Sequence, residues 1–183
     1  MEIAASEIDV LINGSVCRDY IEPATAALVS GALGLPKRSM HFDISNACLG
    51  FLNGMWMVSN MIELGQIQRG LVVCGETARP GVSATLERLQ RSDAAADEFR
   101  DNFATLTLGS GGAGAVLVRK DLARKGHTLS TAAWMSDTRF SNLCRATEYE
   151  MRVDPNGLLE HGVDTAVDGW EQAKQEGIDT GSF

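Results

Sequence analysis

At 183 residues the chain has enough length to bury one sizeable domain or a large part of a bigger one, and 44% hydrophobic with 22% charged residues is the balance of an ordinary soluble globular fold. A net charge of −8 and a pI near 4.8 argue against nucleic acid as a partner, because neutralising phosphates takes clustered Lys and Arg. No apolar stretch approaches the roughly 18 residues of a membrane span, and the N-terminus lacks the basic start and apolar run of a signal peptide, so a cytoplasmic protein with reduced thiols is the expectation.

Ile8–Ile12 reads as a buried strand, ended by the turn-prone pair Asn13-Gly14. Glu22-Pro23 then opens an Ala-rich run to Gly34 and Pro36; proline near the start, with glycine and proline past the end, is helix punctuation. Met40–Ile44 is a second strand, interrupted by Asp43. The run Leu49–Leu64 is apolar almost all round, with Leu49, Phe51, Leu52, Met55, Trp56 and Met57 in its first turns, which predicts a helix buried in a core. Gly50 and Gly54 allow a neighbour to approach it closely, and Gly65 stops it.

Gly70–Gly75 is a continuous apolar run of strand length, the pattern of a strand covered on both faces. Strand, helix and strand from Phe42 to Gly75 therefore make a βαβ unit with a parallel pairing. Arg79–Asn102 is polar and helix-prone and reads as a surface excursion or lid. The glycine-rich Ser110–Gly114 lacks the Lys-Ser/Thr ending of a phosphate loop and opens a strand, Ala115–Arg119, rather than a helix, so it reads as close backbone packing between strands. Thr128–Trp134 is expected to be a further strand. Leu159, Val163, Ala166, Trp170 and Ala173, spaced alternately four and three, predict an amphipathic helix ending near Gly177. The fold core thus spans about 8–119, with 120–183 an excursion and a helix.

Four cysteines stand at 17, 48, 74 and 144; none forms a CxxC pair and the three histidines are scattered, so no zinc pattern exists. Cys48 falls in the first loop of the βαβ unit, at the carboxyl edge where open α/β sheets place their chemistry. A helix N-terminus favours the thiolate, and its unpaired N–H groups can hold the oxygen of a thioester under attack. The alternative is a buried, inert thiol. His41 before a strand, His127 after a basic turn and His161 on the polar side of a helix all read as solvated surface residues.

Phe42–Phe51, Leu71–Glu76 and Leu108–Leu117, in this order and spacing, resemble the thiolase superfamily, and within it the ketoacyl synthase III-like condensing enzymes. The resemblance runs from about Ile8 to Gly177. Ser15–Pro23 and Gly75–Ala78 are similar to the OleA type, which joins two long-chain acyl-CoA molecules into a β-keto product. The resemblance implies an α/β, thiolase-like half with a mixed, largely parallel sheet around a buried central helix. It implies an acyltransferase that forms a carbon–carbon bond by Claisen condensation through an acyl-cysteine, without decarboxylation. Its nucleophile falls on Cys48. The family's glutamate base, which reaches into the partner subunit's site, falls on Glu22; the plainer reading is that Glu22 caps a helix beginning at Pro23. No metal or cofactor is implied, acyl-CoA or acyl carrier protein being substrate, and a homodimer is expected.

The chain departs from that family in lacking the second half, which supplies a histidine, an asparagine and part of the oxyanion hole. A completing half is expected in cis or in trans, and the isolated chain is expected to condense little or nothing. Two other readings stand beside this one: a decarboxylating 3-oxoacyl synthase III of fatty acid synthesis, and a non-catalytic binding or dimerisation half.

Overall fold

The structure is a computed structural model and describes residues 3–91, 96–123 and 126–178. In chain order its regular elements are β1 (Val10–Asn13), α1 (Thr25–Leu33), β2 (Met40–Asp43), α2 (Gly50–Glu63), β3 (Arg69–Glu76), α3 (Arg79–Arg91), α4 (Ala96–Leu106), β4 (Gly111–Val118), β5 (Cys144–Ala146), β6 (Met151–Val153) and α5 (Pro155–Gln175). Where the sequence divides the chain near residue 119, the contacts divide it differently. One unit comprises the described residues up to 77 and from 110 to 129; the other comprises 78–109 and those from 130 onward.

The first unit is a mixed, largely parallel α/β sheet in the order β2-β1-β3-β4. β1 runs parallel to both β2 and β3, and β4 closes the far side antiparallel to β3. The expected strand–helix–strand crossover from β2 to β3 is present, but its two strands are not neighbours, because β1 lies between them. The residues explain the order. Val10, Leu11 and Ile12 have no exposed surface, so β1 is apolar on both faces and belongs in the middle. β2, with exposed Met40 and His41, is suited to an edge. The β1–β2 and β2–β3 crossovers run in opposite directions, so right-handed connections put α1 and α2 on opposite faces.

On the α2 face, Val58 packs into a cluster with Val10, Ile12, Ile67 and Val72. A Cβ added at Gly54 would sit 2.8 Å from the Val72 Cγ1, so the close approach expected of this glycine is real. The helix is not buried all round, however. Only Gly50, Gly54 and Val58 are buried, while Leu52 is 59% exposed and Leu49, Met57 and Leu64 are open as well. β3 likewise has one covered face, that of Gly70 and Val72; on the other, half-exposed Leu71 pairs across the ladder with exposed Val116. The glycine run forms the first half of β4, with Gly111–Gly114 set opposite Glu76–Val73, backbone against backbone as expected.

In the second unit the polar excursion folds as the two helices α3 and α4, with Phe99 and Phe103 in a tilted ring pair at 6.2 Å. The buried Thr105 hydroxyl donates to the Met151 carbonyl at 3.3 Å, joining α4 to β6. The hairpin β5–β6 has no counterpart in the sequence reading: three-residue strands carrying Arg145 opposite Arg152 show no apolar alternation. Thr128–Trp134, expected as a strand, has no regular structure.

The amphipathic helix is α5, started by Asp154, whose carboxylate accepts from the Gly157 N–H at 3.1 Å, with Pro155 in the first turn. Its orientation reverses the expectation. Leu159, Val163 and Trp170 are exposed, and the covered positions are Gly157, His161, Thr165, Gly169 and Ala173, at intervals of four. Small residues at that spacing let the helix close on its neighbours: a Cβ at Gly169 would lie 3.1 Å from that of Met135. His161, expected on the solvated side, instead stacks on Phe140 with ring centroids 3.7 Å apart.

The packing of α2 makes a prediction about two glycines. A Cβ at Gly50 would collide with the carbonyl oxygen of Gly14, whereas one at Gly31 in α1 meets nothing within 4 Å. Urea unfolding should therefore show Gly50→Ala losing about 1–3 kcal/mol and Gly31→Ala gaining about 0.5–1 kcal/mol from helix propensity.

Candidate active site

The three parallel strands β1, β2 and β3 end at one edge of the sheet, and both residues nominated from the sequence lie on loops leaving that edge. Cys48 sits in a single 3-10 turn, Ala47–Leu49, that runs straight into α2. Its thiol is exposed, which removes the buried, inert alternative. Ala47, immediately before it, has φ of +43°, a left-handed conformation that costs an L-residue roughly 1–2 kcal/mol. Backbone strain of this kind concentrates at functional sites.

Two contacts hold that turn. The Asn46 amide donates to the Asn53 side-chain oxygen at 2.6 Å, tying it to the first turn of α2. Gly50 lies against the backbone of Gly14, so the head of α2 is fixed against the loop that leaves β1. Both positions must be glycine for the two backbones to come so near.

Glu22 is exposed, on the loop between β1 and α1, and its peptide bond to Pro23 is cis. It does not cap a helix beginning at Pro23. The helix starts at Thr25, and its first amides, those of Thr25 and Ala26, donate to the Asp43 carboxylate at 2.9 and 2.8 Å. No hydrogen bond or ion pair joins Glu22 to Cys48 among the described residues.

What anchors this edge is a set of polar groups that the sequence reading did not nominate. Asn13, 1% exposed, donates to Asp43 at 3.2 Å and accepts from the Ser15 hydroxyl at 2.6 Å, and Ser15 in turn accepts from the Gly75 N–H at 2.8 Å. These bonds link the ends of all three parallel strands, and they pair the buried polar side chains of Asn13 and Ser15. Arg18 lies 3.9 Å from the Asp43 carboxylate. The Glu76 carboxylate accepts the Val16 and Cys17 N–H groups at 2.7 and 3.0 Å. The Cys17 thiol donates to the Thr77 carbonyl at 3.3 Å, and the Cys74 thiol to Glu76 at 3.4 Å.

This arrangement separates the thiols. Burial first, and then the neighbouring Glu76 carboxylate, pushes both Cys17 and Cys74 above the ordinary thiol range. Burial alone would raise Glu76, but the hydrogen bonds from Cys17 and from the Val16 and Cys17 amides outweigh it and hold this carboxyl below its usual value. Signals for the network were present in the sequence: an Asp interrupting an apolar strand, and an Asn and a Glu each closing one. Positive φ at Ala47 had none.

His41 lies within β2 rather than before it, and both His41 and His127 are exposed. A concavity of about 1140 Å³ belongs to the second unit, lined by Arg88, Phe99, Phe103, Leu143 and Arg152 among others, and includes none of the residues of the cysteine turn. Its Arg88 and Arg152 are paired with Glu98 and Glu150. Among the described residues no cluster of three or more His, Cys, Asp and Glu is arranged for a metal, and no helix is long and apolar enough to cross a membrane.

Residues 42–138 match the family of 3-oxoacyl-(acyl-carrier-protein) synthase III. The acyl-CoA:acyl-CoA alkyltransferase of Xanthomonas campestris pv. campestris is 42% identical over 94% of this chain and 51% of its own length. The enzyme of the same name from Shewanella oneidensis is 38% identical over 92% of this chain and 52% of its own. The β-ketoacyl-(acyl-carrier-protein) synthase III of Lactobacillus helveticus is 30% identical over 70% of this chain. A crystal structure of X. campestris OleA in which a cysteine is replaced by serine, with bound lauric acid and lauroyl-CoA, superposes with a TM-score of 0.89 at 41% identity, over 94% of this chain and 51% of that one. The chain spans about half the length of the alkyltransferases it matches.

The Glu76 contacts carry a pH signature. A carboxyl with a depressed folded pKa contributes stability that is complete above its unfolded value, near 4.5, and is lost as pH falls through the folded one. Amide hydrogen exchange at Val16 and Cys17, corrected for intrinsic rates, should lose protection on acidification below that range, and Glu76→Gln should abolish the dependence. Unchanged protection in acid would contradict it.

Proposed function

The chain belongs to the 3-oxoacyl-(acyl-carrier-protein) synthase III family, and from that premise we propose that it carries the acyl-accepting part of an OleA-type condensing enzyme, with Cys48 as nucleophile and Glu22 as base. The observation that carries this reading is the exposed Cys48 on its strained turn at the head of α2, with Glu22 on the neighbouring loop. The separation of the two residues supports it: in X. campestris OleA, the glutamate and the cysteine that have been substituted for crystallography are separated by the same number of positions as Glu22 and Cys48.

The Cys48 thiolate attacks the carbonyl of an acyl thioester, and the carrier's thiol leaves as the acyl-cysteine forms. Glu22, presented to the site of a second copy in a homodimer, takes the α-proton of a second acyl thioester. The resulting carbanion attacks the acyl-cysteine carbonyl, the new carbon–carbon bond forms, and the Cys48 thiolate is released. The N–H groups at the head of α2 face the charge that develops on the carbonyl oxygen. No cofactor enters the scheme, and acyl-CoA serves as both donor and acceptor.

Residues 1–183 span about half the length of the alkyltransferases they match, and the remaining groups of this chemistry are proposed to lie in the other half. The histidine substituted in further OleA structures, counted at the same offset, falls beyond residue 183. The open apolar residues Leu52 and Met57 on α2, with Leu49 just before it, are suited to being covered by a completing half, supplied in cis or in trans. The isolated chain is thus proposed to accept an acyl group but to condense poorly. The second reading, a decarboxylating synthase, draws on the relatives named β-ketoacyl synthase III; release of carbon dioxide from a malonyl thioester would distinguish it.

Incubation of the chain with lauroyl-CoA should add one acyl group at Cys48, read by intact mass and peptide mapping, and Cys48→Ala should abolish it. Iodoacetamide at near-neutral pH should label Cys48 faster than Cys17 or Cys74, whose thiols are held protonated. Acylation that survives Cys48→Ala would sink the assignment, and labelling of Cys48 no faster than the other two would favour a binding module.

A further inference from the structure

The segment that carries Glu22 has no regular structure between the end of β1 and the start of α1, and Glu22 itself is exposed. A base on a free loop would be poorly aimed, yet this loop is fastened at both ends by carboxylates from other strands. At its near end Glu76, the last residue of β3, accepts the N–H groups of Val16 and Cys17 at 2.7 and 3.0 Å, one on each carboxylate oxygen. At its far end Asp43, the last residue of β2, accepts those of Thr25 and Ala26. The near-end bonds span about sixty positions of sequence, so they cannot be local turn chemistry.

We infer that Glu76 is a positioning residue for Glu22: its carboxylate fixes the backbone from which Glu22 is presented to the reacting acyl thioester. This rests on the reading of Glu22 as the base. In this role Glu76 acts through the Val16 and Cys17 amides it accepts. A carboxylate suits the role because it accepts two N–H bonds at once without offering a donor, and bonds to a charged acceptor are the stronger kind. Glutamine at this position would turn an NH2 group toward one of the two amides and lose that bond. Asp43 performs the equivalent service at the other end, but it also holds α1 and Asn13, so its removal would report on the fold as much as on the loop.

Two measurements test the inference. In the chain itself, amide hydrogen exchange over residues 16–24 should rise about ten- to hundredfold in Glu76→Gln, well beyond any rise in the ladder amides of β1 and β3, and Glu76→Asp should restore part of the protection. Exchange that is unchanged in the loop, or that rises uniformly through the sheet, overturns the inference. In the enzyme assembled with its completing half, Glu76→Gln should lower kcat for condensation on the order of tenfold with KM unchanged, since a displaced base loses orientation rather than binding. Acyl transfer to Cys48 should proceed as before. The same substitution made on top of Glu22→Ala should cost nothing further; an additive loss overturns the inference. If Glu22→Ala alone leaves condensation intact, the reading of Glu22 as base has failed, and the exchange arm still reports separately whether Glu76 holds the loop.

Discussion

The carboxylate of Asp43, at the end of an edge strand, makes four connections at once. It accepts the first two amides of α1, accepts the side chain of buried Asn13 on the central strand, and faces the guanidinium of Arg18. A helix N-terminus has unpaired N–H groups and a partial positive charge, and Ala24, at the cap position, has no side chain able to meet either. An acid supplied from β2 does so instead, and in doing so locks the first crossover onto the sheet edge. Removing that one group would leave an unpaired amide on Asn13 and two more on α1. The start of α1 and the far end of the loop bearing Glu22 depend on it.

Glu76 repeats the device on the neighbouring strand. Asn13, Ser15 and the Gly75 N–H join the two, so the edge is laced chiefly by hydrogen bonds of side chains to one another and to backbone amides, with the Arg18–Asp43 pair beside them. Bonds of this kind specify geometry as well as energy. They leave Cys48 outside the network, exposed on its turn, while drawing Cys17 and Cys74 into it. Three cysteines near one sheet edge thereby acquire different characters from their surroundings alone.

Much of the fold was legible because the strongest signals in the chain are local. The apolar runs near Ile12 and Val72, the glycine after Leu64 and the cysteine before a long apolar run each named an element within a few residues of its place. What failed was the question of which face looks where. Periodicity identifies the residues sharing a side of α5, but Gly157, Gly169 and Ala173 allow closer packing than Leu159 and Val163 do, and the small face won. A run as apolar as α2 reads as buried, although several of its side chains are open in the chain as it stands. At the sheet edge, Asp43 and Glu76 were visible as oddities of pattern, yet their partners lie far away in sequence. The positive φ at Ala47 left no trace in composition, since alanine is no mark of a left-handed turn.

The division of the chain into two units has a consequence for the order in which they can form during synthesis. β4, which closes the sheet of the first unit, emerges only after α3 and α4, which belong to the second, and the second in turn waits for α5. Neither unit is finished before the other has begun. The ribosome therefore delivers a three-stranded sheet with an unpaired β3 edge, followed by a pair of helices whose partner strand β6 is still to come, and the glycine-rich strand arrives as the piece that ends the first exposure before the second is resolved.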